Sequence, residues 1–173
     1  TSEGRLCRYL AEEVHAGDVI EISAPTGEFT LDAKESMPVV FLAERLGIAP
    51  VFTMVDALAV ENPARSVTVL YSTVDGEHFP FEAPLRHVVS RLPDGKLGVF
   101  FSKPLDTDEE RVHYDVEGEI DVPRQKDLAF VDNADYFVAG PAEFVRKTTE
   151  QLIGLGVIHS RIHAQAIECG SAR

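Results

Sequence analysis

The sequence predicts an α/β fold, an open parallel sheet with helices on both faces. Three observations carry this. A continuous apolar run at 39–42 has the length and composition of a strand covered on both sides, and 67–71, 97–101 and 136–139 read as further strands. Helical patterns separate them, and Gly and Pro punctuate the turns from strand to helix. Alternation at this spacing requires crossover connections, which pair the strands in parallel.

The elements follow in order. Residues 1–32 read differently from the rest. Asp18 to Ala24 alternates apolar and polar residues, the period of a half-buried strand, and Phe29 to Leu31 has the composition of a short returning strand. After the first parallel strand at 39–42, Pro50 opens a helical pattern with Val51, Met54, Val55 and Leu58 on one face. The strand at 67–71 precedes a helix marked by Phe81, Leu85, Val88, Val89 and Leu92, which Pro93 and Gly95 end. A third strand at 97–101 leads into a polar stretch at 103–127, read as a long surface loop with a local strand or short helix. The strand at 136–139 feeds a helix that Gly140-Pro141 opens, that carries Phe144, Val145, Leu152 and Ile153, and that Gly154 and Gly156 stop. A last strand covers 162–167.

Bulk properties narrow the function classes. The chain has 173 residues, with 45% hydrophobic and 26% charged, enough for one globular domain. Twenty-nine acidic residues against 16 basic ones give a net charge of −13. Such a surface repels phosphate backbones, so neither a nucleic acid nor an anionic membrane is expected as a partner. A small anion is still admissible, because a helix N-terminus acts at short range. Cys7 and Cys169 make no disulfide framework, and the six His supply no metal spacing, so no metal is expected. With no signal peptide or long apolar run, the expected setting is cytoplasmic. The first residue is Thr1 rather than Met, which points to a processed or excised chain.

In an open parallel sheet, ligands bind beyond the carboxyl ends of the strands. Two loops there stand out, Leu46-Gly-Ile-Ala-Pro50 and Ala139-Gly-Pro141. In each, Gly permits close backbone approach and Pro starts a helix with free N–H groups. Two such N-termini side by side suit a pyrophosphate; singly, each loop reads first as a tight strand-to-helix turn, and only the pair brings the two readings level. His163 reads as a packed strand histidine, His78 and His87 as surface residues, and Asp106 to Arg111 as a solvated charge run. No Gly-x-Ser-x-Gly motif or Cys/His arrangement supports a hydrolase, and no catalytic residue is nominated.

The segments 17–29, 38–54, 136–155 and 162–163, in this order, resemble the carboxyl-terminal part of the ferredoxin–NADP reductase superfamily. The nearest likeness is to the NAD-binding reductase portion of flavohaemoglobins, which are nitric oxide dioxygenases. The resemblance divides the chain into a remnant of an FAD-binding β-barrel at 1–34 and an NAD(P)-binding reductase-like domain at 35–173. It implies that NADH binds, with NADPH less favoured because Ser72 to Asp75 includes no Arg. It implies that hydride passes to FAD and electrons then pass to haem. The flavin would need a barrel from further sequence or a partner, and the haem a globin-containing partner. The implied cofactor-binding residues are Arg45, Gly47, Ile48, Ala49, Pro50, Ser72, Ala139, Gly140, Pro141 and Phe144.

The sequence departs from the family at several of these places. Arg45 stands at the first Gly of Ala-Gly-x-Gly, with Glu44 beside it. Ala139 replaces the Cys of Cys-Gly-Pro, Cys7 and Arg8 replace Ser and Asn in the flavin-phosphate segment, and Gln165 and Ile167 stand in the tail that covers the flavin. These departures define the alternative: a reductase-like fold with degenerate cofactor sites, acting as a non-catalytic binding or regulatory module.

Overall fold

The computed structural model describes residues 5–24 and 26–167. Six strands form one sheet: β1 (Val39–Glu44), β2 (Val67–Thr73), β3 (Gly95–Phe101), β4 (Val116–Glu117), β5 (Asp135–Gly140) and β6 (Ile162–Ala166). Their spatial order is β4-β3-β2-β1-β5-β6, and every neighbouring pair is parallel. The predicted sheet is therefore present, with β1 and β2 at its centre.

The apolar runs explain the centre. Val39, Phe41 and Ala43 of β1 enter one core, and Val40 and Leu42 enter another on the opposite face. The first core is covered by α2 (Ile48–Glu61) and α3 (Glu82–Ser90), the second by α5 (Ala142–Gly154) and the short α4 (Lys126–Ala129). In α2 the buried side chains are Ile48, Val51, Val55 and Leu58, a helical stripe. Met54, read from the sequence as part of that stripe, sits only half-buried at its edge. The helix starts two residues before Pro50. Proline is tolerated there because first-turn N–H groups have no partner within the helix.

The stretch 103–127 does hold a local strand and leads into the short helix α4, and it also sends Ile120 and Val122 into the second core. The α5 stop follows expectation, with Gly154 as its last residue and Gly156 at a φ of +94°.

The amino-terminal segment differs from its reading. Residues 18–24 form no strand, and Val19, Ile20 and Ile22 are 98%, 47% and 80% exposed. Alternation supplies one apolar face, but a strand also needs a neighbour for its N–H and C=O groups, and none of the described strands lies alongside. Residues 29–31 are likewise not a strand. Arg5–Glu12 is instead a helix, α1, within the segment read as a flavin-phosphate loop. Gly4, Glu168 and Cys169 lie outside the described residues.

What anchors this segment is polar. Arg65, 2% exposed, donates from Nε to the Met37 carbonyl at 2.6 Å and from Nη1 to the Asp32 carbonyl at 3.0 Å. Its Nη2 lies 3.5 Å from Asp135 Oδ2. Asn62 Nδ2 donates to the carbonyls of Ala33 and Glu35, both at 3.1 Å. These bonds satisfy carbonyls that no sheet ladder satisfies. They hold residues 26–37 as a strap over α2, with Phe29 edge-on to Phe137 at 5.5 Å.

Arg65→Ala would leave two strap carbonyls without their donor and Asp135 with Arg161 alone, whose Nη1 lies 3.8 Å from its Oδ1. Breaking a buried pair of this kind costs about 3 kcal/mol, and a urea denaturation midpoint measures it. An unchanged midpoint would mean that the strap is held by its apolar contacts alone.

Candidate functional site

The sheet order makes β1 and β5 neighbours whose helices lie on opposite faces, so a crevice opens at their carboxyl ends. The chain leaves β1 through a tight 3-10 turn, Arg45–Gly47, directly into α2. It leaves β5 through Gly140-Pro141 into α5. Neither helix start is capped by a side-chain hydrogen bond.

The two turns touch backbone to backbone. A Cβ on Gly47 would lie 2.0 Å from the Ala139 carbonyl oxygen. Gly140 has a φ of +156°, and a Cβ there would meet the Glu44 carbonyl oxygen at 3.0 Å and Phe144 Cδ1 at 3.0 Å. The glycines read as phosphate-approach residues therefore have a prior role, since they let the two loops pack. Arg45 has a φ of 51°, the left-handed region that glycine occupies without strain. That is a backbone reason for the family's Gly at this place.

The structure brings Gly47, Ala139, Gly140, Pro141 and Phe144 together. Ile48, Ala139 and Phe144 are buried in the cores, and Ser72, 2% exposed, is buried at the end of β2 opposite Glu44 in register. Arg45 and Ala49 are exposed, and Pro50 and Pro141 are half-buried, so these four are the predicted residues that a ligand can reach.

Several residues were not singled out from the sequence. A cleft of about 540 Å³ lies beside α2, lined by Thr26, Gly27, Phe29 and Thr30 of the strap and by Pro50, Gln165 and Ile167. That size suits a small ligand. The cleft adjoins the crevice, because the Ile167 N–H donates to the Gly140 carbonyl at 2.7 Å. At the other end of the edge, Ser102 and Lys103 follow β3, and their N–H groups donate to the carbonyls of Thr73 and Val74, each at 2.9 Å. Lys103 is an exposed cation beside the loop after β2, which the reading of Ser72 to Asp75 alone overlooked. Only the strand order could have revealed it. Asp75 is occupied locally, with Oδ1 2.6 Å from His78 Nδ1 and accepting from the His78 N–H at 3.1 Å. His163 packs in a stack on Phe137 at 4.5 Å, as a strand histidine does.

Glu44 governs the local field. Its side chain is only 20% exposed, and Arg45 Nε lies 3.8 Å from its Oε1. Burial pushes the carboxyl pKa up. Arg45 and Lys147 pull it down, while Glu119 and Glu143 push it further up. Among the described residues no group of three or more His, Cys, Asp or Glu could hold a metal ion, and no helix is long and apolar enough to cross a membrane.

This geometry matches known proteins. Over 160 residues, 92% of the chain, it is 32% identical to the flavohemoprotein of Rhizobium meliloti (strain 1021), of which it covers 40%. The chain resembles the reductase part of a flavohaemoprotein. The flavohemoprotein of Chromobacterium violaceum is 33% identical over 92% of the chain, which covers 39% of it. The chain thus spans about two-fifths of the length of these curated relatives. Among solved structures, the flavohem-like FAD/NAD-binding domain of nitric oxide dioxygenase from Vibrio cholerae superposes with a TM-score of 0.76 at 24% identity, covering 94% of this chain and 64% of that one. The cytochrome b5 reductase domain of Ulva prolifera nitrate reductase gives 0.74 at 17%, covering 92% and 64%. These two establish the fold. No protein-family model matches.

Two consequences follow for stability. Gly47→Ala drives a methyl into the Ala139 carbonyl, and the backbone must shift. Overpacking of this kind costs about 1–3 kcal/mol, read as a lowered denaturation midpoint, and an unchanged midpoint would show that the loops separate freely. For Glu44 the folded-state pKa is raised, so its ionised form opposes folding at neutral pH and its protonated form does not. Glu44→Gln is expected to raise the melting temperature at pH 7 to 8, and the advantage should shrink as pH falls through the wild-type Glu44 pKa. A melting temperature lowered at neutral pH would show instead that the Arg45 contact outweighs burial.

Proposed function

We propose that this chain is the nicotinamide-dinucleotide-binding module of a flavohaemoglobin-type reductase. The observation that carries the reading is the pair of helix N-termini without side-chain caps, brought together by the Gly47–Ala139 contact at the carboxyl edge of the sheet. There the first-turn N–H groups of α5 would hold phosphate oxygens of the dinucleotide. Arg45, exposed at the same edge, supplies a cation in place of the backbone approach its side chain restricts. The cleft between Phe29, Pro50, Gln165 and Ile167, and the exposed Lys103 beside the loop after β2, would hold the rest of the dinucleotide.

A bound nicotinamide would supply hydride chemistry, and the chain's part would be to bind and orient it. Residues 1–34 belong to a flavin-binding portion and 35–173 to the dinucleotide-binding one. The described residues contain no barrel, so FAD is held by further sequence or by a partner. In a complete protein of this type the electrons go to haem, in support of nitric oxide dioxygenation, within a cytoplasmic protein. NADH is favoured over NADPH by the acidic surroundings and by the lack of an Arg within Ser72 to Asp75. Lys103 is the residue that would invert that order.

A second reading, a degenerate site serving as a binding module, draws on Glu44 and Arg45 standing where the family has Ala and Gly. Calorimetric titration separates the two. Micromolar NADH affinity is expected, weaker for NADPH, and reduced about tenfold or more in Pro50→Ala and Gly140→Ala. Absence of heat up to millimolar NADH, with binding gained in Arg45→Gly, would establish the degenerate site. Tighter NADPH binding that Lys103→Ala abolishes would reverse the cofactor preference.

A further inference from the structure

We infer that dinucleotide binding at this edge is coupled to proton uptake by Glu44, with Arg45 exchanging its partner from the Glu44 carboxylate to a phosphate oxygen. This rests on the dinucleotide reading above and assigns Glu44 a role as a positioning residue that sets the affinity.

Glu44 lies on the α5 side of the sheet, continuing the face of Val40 and Leu42, and its carbonyl and Cβ are the near neighbours of Gly140. The carboxylate is thus built into the junction where the phosphates arrive. The charged groups around it come from three places. Arg45 belongs to its own turn, Glu143 and Lys147 to α5, and Glu119 to the segment after β4. Tyr71, on β2, is fully buried with a hydroxyl pKa pushed up to about 12, so it stays neutral and cannot compensate. Lys147 Nζ is engaged 3.3 Å from Glu119 Oε2. Arg45 is therefore the cation closest to Glu44, and it is loosely held, with a 64% exposed side chain and a separation of 3.8 Å.

An arriving pyrophosphate changes the balance. It attracts Arg45, which leaves a mostly buried carboxylate facing Glu143, Glu119 and the phosphate charge. A carboxylate without its cation in low dielectric favours the neutral form. The proton comes from solvent to a Glu44 oxygen; no bond within the ligand changes. Binding should weaken as pH rises, by at most tenfold per pH unit for one proton.

The test is calorimetry of NADH binding to the full chain at pH 6, 7 and 8, in buffers of different ionisation enthalpy, which counts the protons taken up. Wild type is expected to take up a fraction of one proton and to lose affinity with rising pH. Glu44→Gln is expected to take up none, to show a flat profile and to bind more tightly at pH 8, while Glu44→Asp restores uptake. Equal uptake in wild type and Glu44→Gln, or NADH binding by wild type without uptake, overturns the coupling and leaves the dinucleotide reading standing. No NADH binding by either protein at any pH overturns both. Wild-type uptake is a sufficient readout against the coupling if Glu44→Gln fails to fold.

Discussion

The close approach of two backbones at the ends of β1 and β5 is the constraint on which the site depends. With Ala139 O only 2.0 Å from where a Gly47 Cβ would stand, position 47 admits only glycine without displacing the neighbouring loop. The same contact fixes where β1 gives way to α2 and β5 to α5. The helices leave on opposite faces of the sheet, so their N-termini converge as their bodies diverge. A ligand site at this edge is a by-product of packing a parallel sheet whose connections reverse direction.

The amino-terminal segment shows the complementary case. Its apolar residues at 19, 20 and 22 stay exposed among the described residues, while its carbonyls at 32, 33, 35 and 37 are gathered by Arg65 and Asn62. Burial pulls the Arg65 pKa down, whereas Asp135, Glu35 and Asp32 hold it up, so the guanidinium remains a cation at the base of the strap. Through that anchor, residues far from the crevice in sequence, Thr26 to Thr30, come to wall the cleft beside Pro50.

Electrostatics at the edge is a contest of short range against long range. The net charge of −13 disfavours any anion at a distance, and Glu44, Glu119 and Glu143 disfavour it close at hand. The uncapped start of α5, Arg45 and Lys103 oppose them over a few ångströms, where dipoles and direct contacts outweigh the screened field of the whole surface.

The sequence by itself determined the sheet, its helices and the two loops of the site, because buried parallel strands read as continuous apolar runs and Gly-Pro turns mark helix starts at their ends. It placed Gly47, Pro50, Gly140 and Pro141 correctly at one edge. It misread 18–24, since alternation records which face is apolar but not whether a neighbouring strand exists to complete the hydrogen bonds. It left the glycines open between ligand approach and a tight turn, since a missing Cβ says that something comes close without saying what. Only the tertiary structure decided that the other loop fills that space, that Ile48, Ser72 and Phe144 are buried, that Lys103 lies beside the loop after β2, and that the strap walls a cleft next to Pro50. Those are properties of strand order and long-range contact, which residue spacing along the chain does not encode.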